Sequence, residues 1–230
     1  MSASTYLLVH GAYGGAWCWR DLGAEFERRG VKWRAVDLPS SRIGADSSTN
    51  LVDDAVAVVA AATGDGPYVL VGHSYGGAVV AESAPQIPRL QKCIYISALL
   101  PNINQSAYDA IRIIEGRTLL DEATEVDGEV LKLNPQLAPA ALYGDCTPEV
   151  TQWAVQQLST QTIASLRFHR AAASVDVESL YIACSRDESV VPELQKVMSQ
   201  RCDAEVILES DHSPFLSHPS ILLDAILAQA

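Results

Sequence analysis

The run Gly72-His73-Ser74-Tyr75-Gly76 sets one serine between glycines, directly after an apolar stretch and before residues of helical spacing. A serine on a tight strand-to-helix turn needs an unfavourable backbone conformation, and glycines two residues before and after it remove the Cβ atoms that would clash there. Such a turn projects the hydroxyl into a crevice while the N–H groups that follow, at a helix N-terminus, face any developing anion. A serine is a weak nucleophile unless a base takes its proton and a third group orients that base. The base is expected at His212, in the stretch ESDHSPFLSHP that precedes the last helical segment; His218 stands at that helix start and His73 points away beside the serine. The orienting acid is expected at Asp187 in ACSRDESVVP, three residues after Cys184, with neighbouring Glu188 open on position alone. Asp176 comes before the same strand, and thus at the wrong edge of a parallel sheet.

A second glycine-rich turn, HGAYGGAW at positions 10–17, leaves backbone N–H groups unpaired. The amides of Ala12 and Tyr75 are expected to form an oxyanion hole. The turn lacks the lysine of a phosphate-binding loop and does not spell G-x-G-x-x-G, and His10 beside it reads as a structural hydrogen-bonding residue. Gly11, Tyr13, Trp17, Tyr143 and Trp153 are candidates for the wall of a substrate pocket, although core packing explains Trp153 equally well.

These residues need a scaffold, and the chain alternates short apolar runs with stretches of helical spacing, the pattern of a parallel sheet covered on both faces. The fold class is therefore α/β, with six strands expected at Tyr6–Val9, Lys32–Val36, Tyr68–Val71, Gln91–Ile96, Ser179–Cys184 and Glu205–Leu208. Helices are expected near Ala16–Arg29, Leu51–Ala62, Gly76–Ala84, Pro192–Gln200 and Pro219–Leu227. From about 101 to 170 the alternation stops and the chain reads as several helices, including Ala107–Ile114 and Pro148–Leu158. A single domain is expected, with that segment as a cap inserted above the crevice where open α/β sheets bind ligands.

The 230 residues are 48% hydrophobic, enough for one sizeable core, and carry 16 basic against 28 acidic side chains for a net charge of −12. That balance argues against nucleic acid and anionic membrane surfaces as partners. The N-terminal stretch lacks a basic region followed by an apolar one, so a cytoplasmic location is expected. The five scattered cysteines read as reduced thiols, no His, Cys, Asp or Glu cluster has metal-ligand spacing, and neither cofactor nor metal is expected.

Taken together, HGAYGGAW, GHSYGG, SRDESVVPELQ and DHSPFLSHP, in the order Ser, Asp, His, resemble the α/β-hydrolase superfamily. The chain is similar to the branch of plant-type methyl esterases, hydroxynitrile lyases and bacterial cap-bearing esterases. The resemblance implies Ser74 as nucleophile, Asp187 as acid, His212 as base and the Ala12 and Tyr75 amides as oxyanion hole. Those lyases carry threonine where Gly11 stands and lysine where Ser213 stands, and DLPSSRIG differs from the glycine-richer D-x-P-G-x-G of the superfamily. The expected function is a serine carboxylesterase acting on a small-molecule ester without a cofactor. A hydroxynitrile lyase or cofactor-free dioxygenase on the same fold, or a slow-turnover receptor, are the alternatives. A homodimer stays open.

Overall fold

The structure, a computed structural model, describes residues 4–64 and 66–228. Its first half runs β1 (Thr5–Val9), α1 (Arg20–Arg28), β2 (Lys32–Val36), α2 (Leu51–Ala61), β3 (Tyr68–His73), α3 (Gly76–Ser83) and β4 (Leu90–Ile96). After a long excursion come β8 (Glu178–Cys184), α9 (Pro192–Ser199), β9 (Ala204–Leu208), α10 (Pro214–Ser217) and α11 (Pro219–Ala228). The excursion holds α4 (Ala107–Ile111), α5 (Leu119–Ala123), β5 (Thr124–Asp127), β6 (Val130–Leu133), α6 (Ala138–Leu142), α7 (Pro148–Gln157), β7 (Gln161–Thr162) and α8 (Ile163–Arg167).

Six strands form one parallel sheet in the order β2-β1-β3-β4-β8-β9. Period-two alternation sends Tyr6 and Leu8 of β1 to one face with Leu22, Phe26, Leu222 and Ile226. Leu7 and Val9 face the other way, onto Leu51, Val58, Val79 and Leu194. Both faces are thus covered, by α1 and α11 on one side and α2, α3 and α9 on the other, which is why the central strands are apolar throughout and all six residues of β3 are buried. All six expected strands appear, each within two residues of its expected end. The first expected helix begins instead as a single 3-10 turn, Ala16–Trp19.

From β1 the chain steps outward to β2, then returns to the other side of β1 for β3, so the strand order reverses between β1 and β3. Open α/β sheets bind ligands at the carboxyl ends of the strands flanking such a reversal. Val9 pairs with Gly72 in register, so the loop starting at His10 lies beside the turn that carries Ser74.

The excursion differs from the all-helical expectation. Alongside short helices it contains an antiparallel sheet, β5-β6-β7. Its hairpin closes through Gly128-Glu129 between paired Asp127 and Val130, with Gly128 at φ +62°, a conformation open to glycine at little cost. Asp-Gly between short alternating runs is a hairpin signal, and acidic residues flanking it gave the stretch the look of a helical turn. The expected helix over Ala107–Ile114 ends at Ile111. Among the described residues no helix is long and apolar enough to cross a membrane.

Candidate active site

Ser74 sits between β3 and α3 at φ +52°, a backbone region costly for a residue with a Cβ. The flanking glycines are required by close approach. A Cβ on Gly72 would lie 2.7 Å from the Gly76 oxygen, and one on Gly76 would lie 2.4 Å from the Val9 oxygen. The turn is locked from below by the Ser74 amide donating to the Ile96 carbonyl at 3.2 Å and by the Ser74 carbonyl accepting from Leu99 at 3.0 Å.

Among the described residues, neither the Ala12 nor the Tyr75 amide donates to a hydrogen bond within the protein. Both residues line, with Ser74, a cavity of about 500 Å³. Two amides from the loops that follow neighbouring strands β1 and β3 thus border the same cavity as the Ser74 hydroxyl.

His212 lies in the loop after β9 and Asp187 in the loop after β8. Their contact, His212 Nδ1 to Asp187 Oδ2, is 2.6 Å, and both residues are buried. Asp187 Oδ1 accepts from the amides of Ser189 at 2.7 Å and Val190 at 2.9 Å, and Oδ2 accepts also from the Ser97 hydroxyl and from Gln195 Nε2. Because every other partner of Asp187 is a donor, the network assigns the proton of the shared bond to His212 Nδ1 and leaves Nε2 as a base. Glu188 is exposed and Asp176 lies before β8, so the structure brings Asp187 alone of the three to the imidazole. Among the described residues the Ser74 hydroxyl makes no hydrogen bond to His212; nucleophile–base contacts commonly tighten only when a substrate binds.

Several supporting residues carry no local sequence signal. His73 points away from the cavity and donates from Nε2 to the His212 carbonyl at 2.9 Å, its ring 4.5 Å from that of His212. Asp145, in the excursion, accepts from the Asp211 amide at 2.8 Å and from Arg186 at 2.8 Å, which ties the His212 loop to the Asp187 loop. Beneath Tyr75, its hydroxyl donates to buried Asp54 Oδ2 at 2.7 Å, Ser40 donates to the same oxygen at 2.6 Å, and Gln161 Nε2 donates to Ser40 Oγ at 2.8 Å. Ser40 belongs to DLPSSRIG, so the departure from the glycine-rich pattern supplies the hub that joins the excursion to the turn. Desolvation raises the Asp54 carboxyl above its ordinary range, its hydrogen bonds opposing the shift.

Of the expected pocket residues, Tyr13 lines the cavity that contains Ser74, and burial pushes its phenol up to about 12. Gly11, Trp17 and Tyr143 instead border a void of about 30 Å³ on the His212 side. Trp153 lines neither: its ring packs edge-on against Trp17 at 5.5 Å with the Arg20 guanidinium 3.9 Å above it, so its role is packing.

A model of the alpha/beta hydrolase family matches residues 6–225. The chain belongs to the alpha/beta hydrolase family. Among curated relatives, this alpha/beta hydrolase is 28% identical to polyneuridine aldehyde esterase of Rauvolfia serpentina, over 96% of the chain and 94% of that protein. It is 28% identical to norfluorocurarine synthase 2 from Strychnos sp, over 96% and 93%, and 25% identical to methylesterase 3 of Arabidopsis thaliana, over 96% and 94%. Among solved structures, a pyrethroid hydrolase from Sphingobium faniae JZ-2 superposes with a TM-score of 0.84 at 22% identity, over 99% of this chain and 97% of that one, a likeness of fold.

Two buried histidines of this alpha/beta hydrolase have a consequence for stability. His10 donates from Nδ1 to the Gly11 carbonyl at 2.8 Å and accepts at Nε2 from the Leu38 amide at 3.1 Å, the pattern of a neutral ring. Desolvation lowers its pKa from the ordinary 6.5, and lowers that of His73 further, with His212 adding to the effect. Above pH 6.5 the rings are neutral folded or unfolded; below it the unfolded chain takes up two protons that the native one refuses. Stability should therefore be lower at pH 5.5 than at pH 7.5, by at most about 1.4 kcal/mol per pH unit for each histidine. The raised carboxyls of Asp54 and Asp211 act in the opposite sense, adding stability as pH falls through their folded-state values. Urea midpoints at the two pH values measure the fall, and equal midpoints would exclude it.

Proposed function

We propose that the protein is a serine carboxylesterase that hydrolyses small-molecule carboxylic esters through an acyl-enzyme. The observation that carries this reading is Ser74, at φ +52° in the turn after β3, together with a buried His212–Asp187 pair, 2.6 Å apart, in the loops after β9 and β8 at the same carboxyl edge of the parallel sheet. Relatives named as esterases support it.

In this reading Ser74 Oγ attacks the ester carbonyl as its proton passes to His212 Nε2, and the Ala12 and Tyr75 amides hold the tetrahedral oxyanion. Collapse expels the alcohol, which takes the proton from His212 and leaves the acyl group on Ser74. Water then attacks the acyl carbonyl, giving its proton to Nε2, and the second collapse releases the acid and returns the proton to Ser74. Asp187 holds the imidazole in the required tautomer and stabilises the imidazolium. The segment 101–170 acts as a cap: Leu120, Leu131 and Leu166 roof the cavity over a floor of Ala12, Ser74 and Leu99, which shields the oxyanion from bulk water.

The test is a panel of 4-nitrophenyl esters of increasing acyl length, run beside labelling with a fluorophosphonate. Turnover together with stoichiometric labelling at Ser74 is expected; turnover without labelling would overturn the serine mechanism.

Cyanohydrin cleavage is expected to be absent or far below ester hydrolysis. No lysine follows His212 to meet a leaving cyanide, and position 11 has no room for threonine: a Cβ there would lie 2.8 Å from Ser74 Cβ and 3.0 Å from His73 Nδ1. Gly11→Thr should therefore displace the serine and lower kcat for esters by about 10²-fold. Comparable turnover of mandelonitrile and a phenyl ester by the parent enzyme would reverse the preference.

A further inference from the structure

We propose that the cavity selects esters bearing a free carboxylate remote from the scissile bond, such as monoesters of medium-chain dicarboxylic acids. The inference rests on the esterase reading of Ser74 and adds the substrate class.

Three guanidinium groups, Arg112, Arg117 and Arg167, line the cavity that contains Ser74, against a single carboxylate, Asp121. This excess of two positive charges stands in a chain of net charge −12, so the overall composition does not supply it by chance of abundance. Arg112 is engaged, donating to Asp121 at 2.8 Å. Among the described residues, Arg117 and Arg167 have no acidic partner within ion-pair distance. Asp109, on α4, is taken up by Ser106 and His169.

The charges are also ordered. Arg112 and Arg167, at the ends of α4 and α8, bring their guanidinium carbons to 5.4 Å and 5.3 Å from the centre of the Tyr108 ring, forming one exposed cationic rim. Leu99, Ala107, Ile111, Ile163 and Leu166 line the same cavity and offer no polar side chain. A ligand that places an ester carbonyl at Ser74, an alkyl or aryl spacer along these residues and an anion at the rim would satisfy all three regions. The planar fork of arginine matches a carboxylate in geometry as well as charge. A neutral tail leaves the rim unused, and a cationic tail is repelled.

Because the arginines are partly in water, the preference should be moderate and should weaken with salt. The experiment compares kcat/KM for mono(4-nitrophenyl) suberate with that for its neutral methyl ester and for a trimethylammonium analogue of the same length. At low ionic strength the carboxylate is expected to lead the neutral probe by roughly fivefold to tenfold, with the cation last, and the lead should shrink toward unity in about half-molar sodium chloride. In Arg117→Gln/Arg167→Gln the carboxylate-to-neutral ratio should fall to about one. A ratio at or below one in the parent, or a lead that survives the double substitution, would overturn the proposal. If no probe is turned over, the esterase reading fails, and calorimetric titration of Ser74→Ala with monomethyl suberate against dimethyl suberate decides the charge preference separately: tighter binding of the monoanion sustains it, and equal or weaker binding ends it.

Discussion

Ser74→Ala is expected to abolish ester hydrolysis, with a loss on the order of 10⁴-fold or more in kcat, while the fold survives. Alanine keeps the Cβ, so the backbone at φ +52° is no more strained than with serine, and only one oxygen is removed from the floor of the cavity. The amide of Ser74 still donates to Ile96 and its carbonyl still accepts from Gly77 and Leu99, which preserves the turn and the position of the Tyr75 amide. What remains is the catalysis that positioning and the two amides supply to water attack. The measurement pairs steady-state rates on 4-nitrophenyl acetate with fluorophosphonate labelling and a urea titration. Activity near that of the parent in a variant that no longer labels would move the nucleophile elsewhere.

The scaffold was legible in the sequence because its physics is local. A parallel strand buried on both faces must be a short apolar run, and YVLVGH, QKCIYI and SLYIAC could hardly be anything else between polar turns. The strained serine was legible for the same reason, since the glycines that relieve it stand within two residues. The groups that fasten the site were not, because each acts across the sheet. Ser97 reaches Asp187 over 90 positions, Tyr75 meets Asp54 over 21 and Gln161 meets Ser40 over 121. Serines, an aspartate and a glutamine scattered at those distances have no pattern until the strand order brings them together. The lining of the cavity at Ser74 was only partly legible for a related reason. Aromatic residues near a glycine-rich turn suggest a ligand, yet Trp17 and Trp153 satisfy one another edge to face, whereas the cavity takes much of its lining from aliphatic residues and arginines of the excursion.

Asp187→Asn is expected to lower kcat by up to about 10⁴-fold with little change in KM, by analogy with the same exchange in serine proteases. Asp187 accepts on both oxygens: Oδ1 from the Ser189 and Val190 amides, Oδ2 from Ser97, Gln195 and His212. An asparagine has one carbonyl to offer. If it faces the two amides, its NH2 group confronts His212 and forces the imidazole into the tautomer that accepts at Nδ1 and carries its proton on Nε2. That ring can no longer take a proton from Ser74. If the amide turns over, its NH2 confronts the Ser189 and Val190 donors in a buried site, at a cost of about 1–3 kcal/mol for each partner left unpaired. Catalysis or stability must therefore suffer, and the urea midpoint tells which. Glu188→Gln and Asp176→Asn, on exposed side chains outside this network, are expected to stay within a few fold of the parent. A collapse of kcat in Glu188→Gln with Asp187→Asn nearly unaffected would shift the acid by one residue, and would require the loop after β8 to present the opposite face to His212.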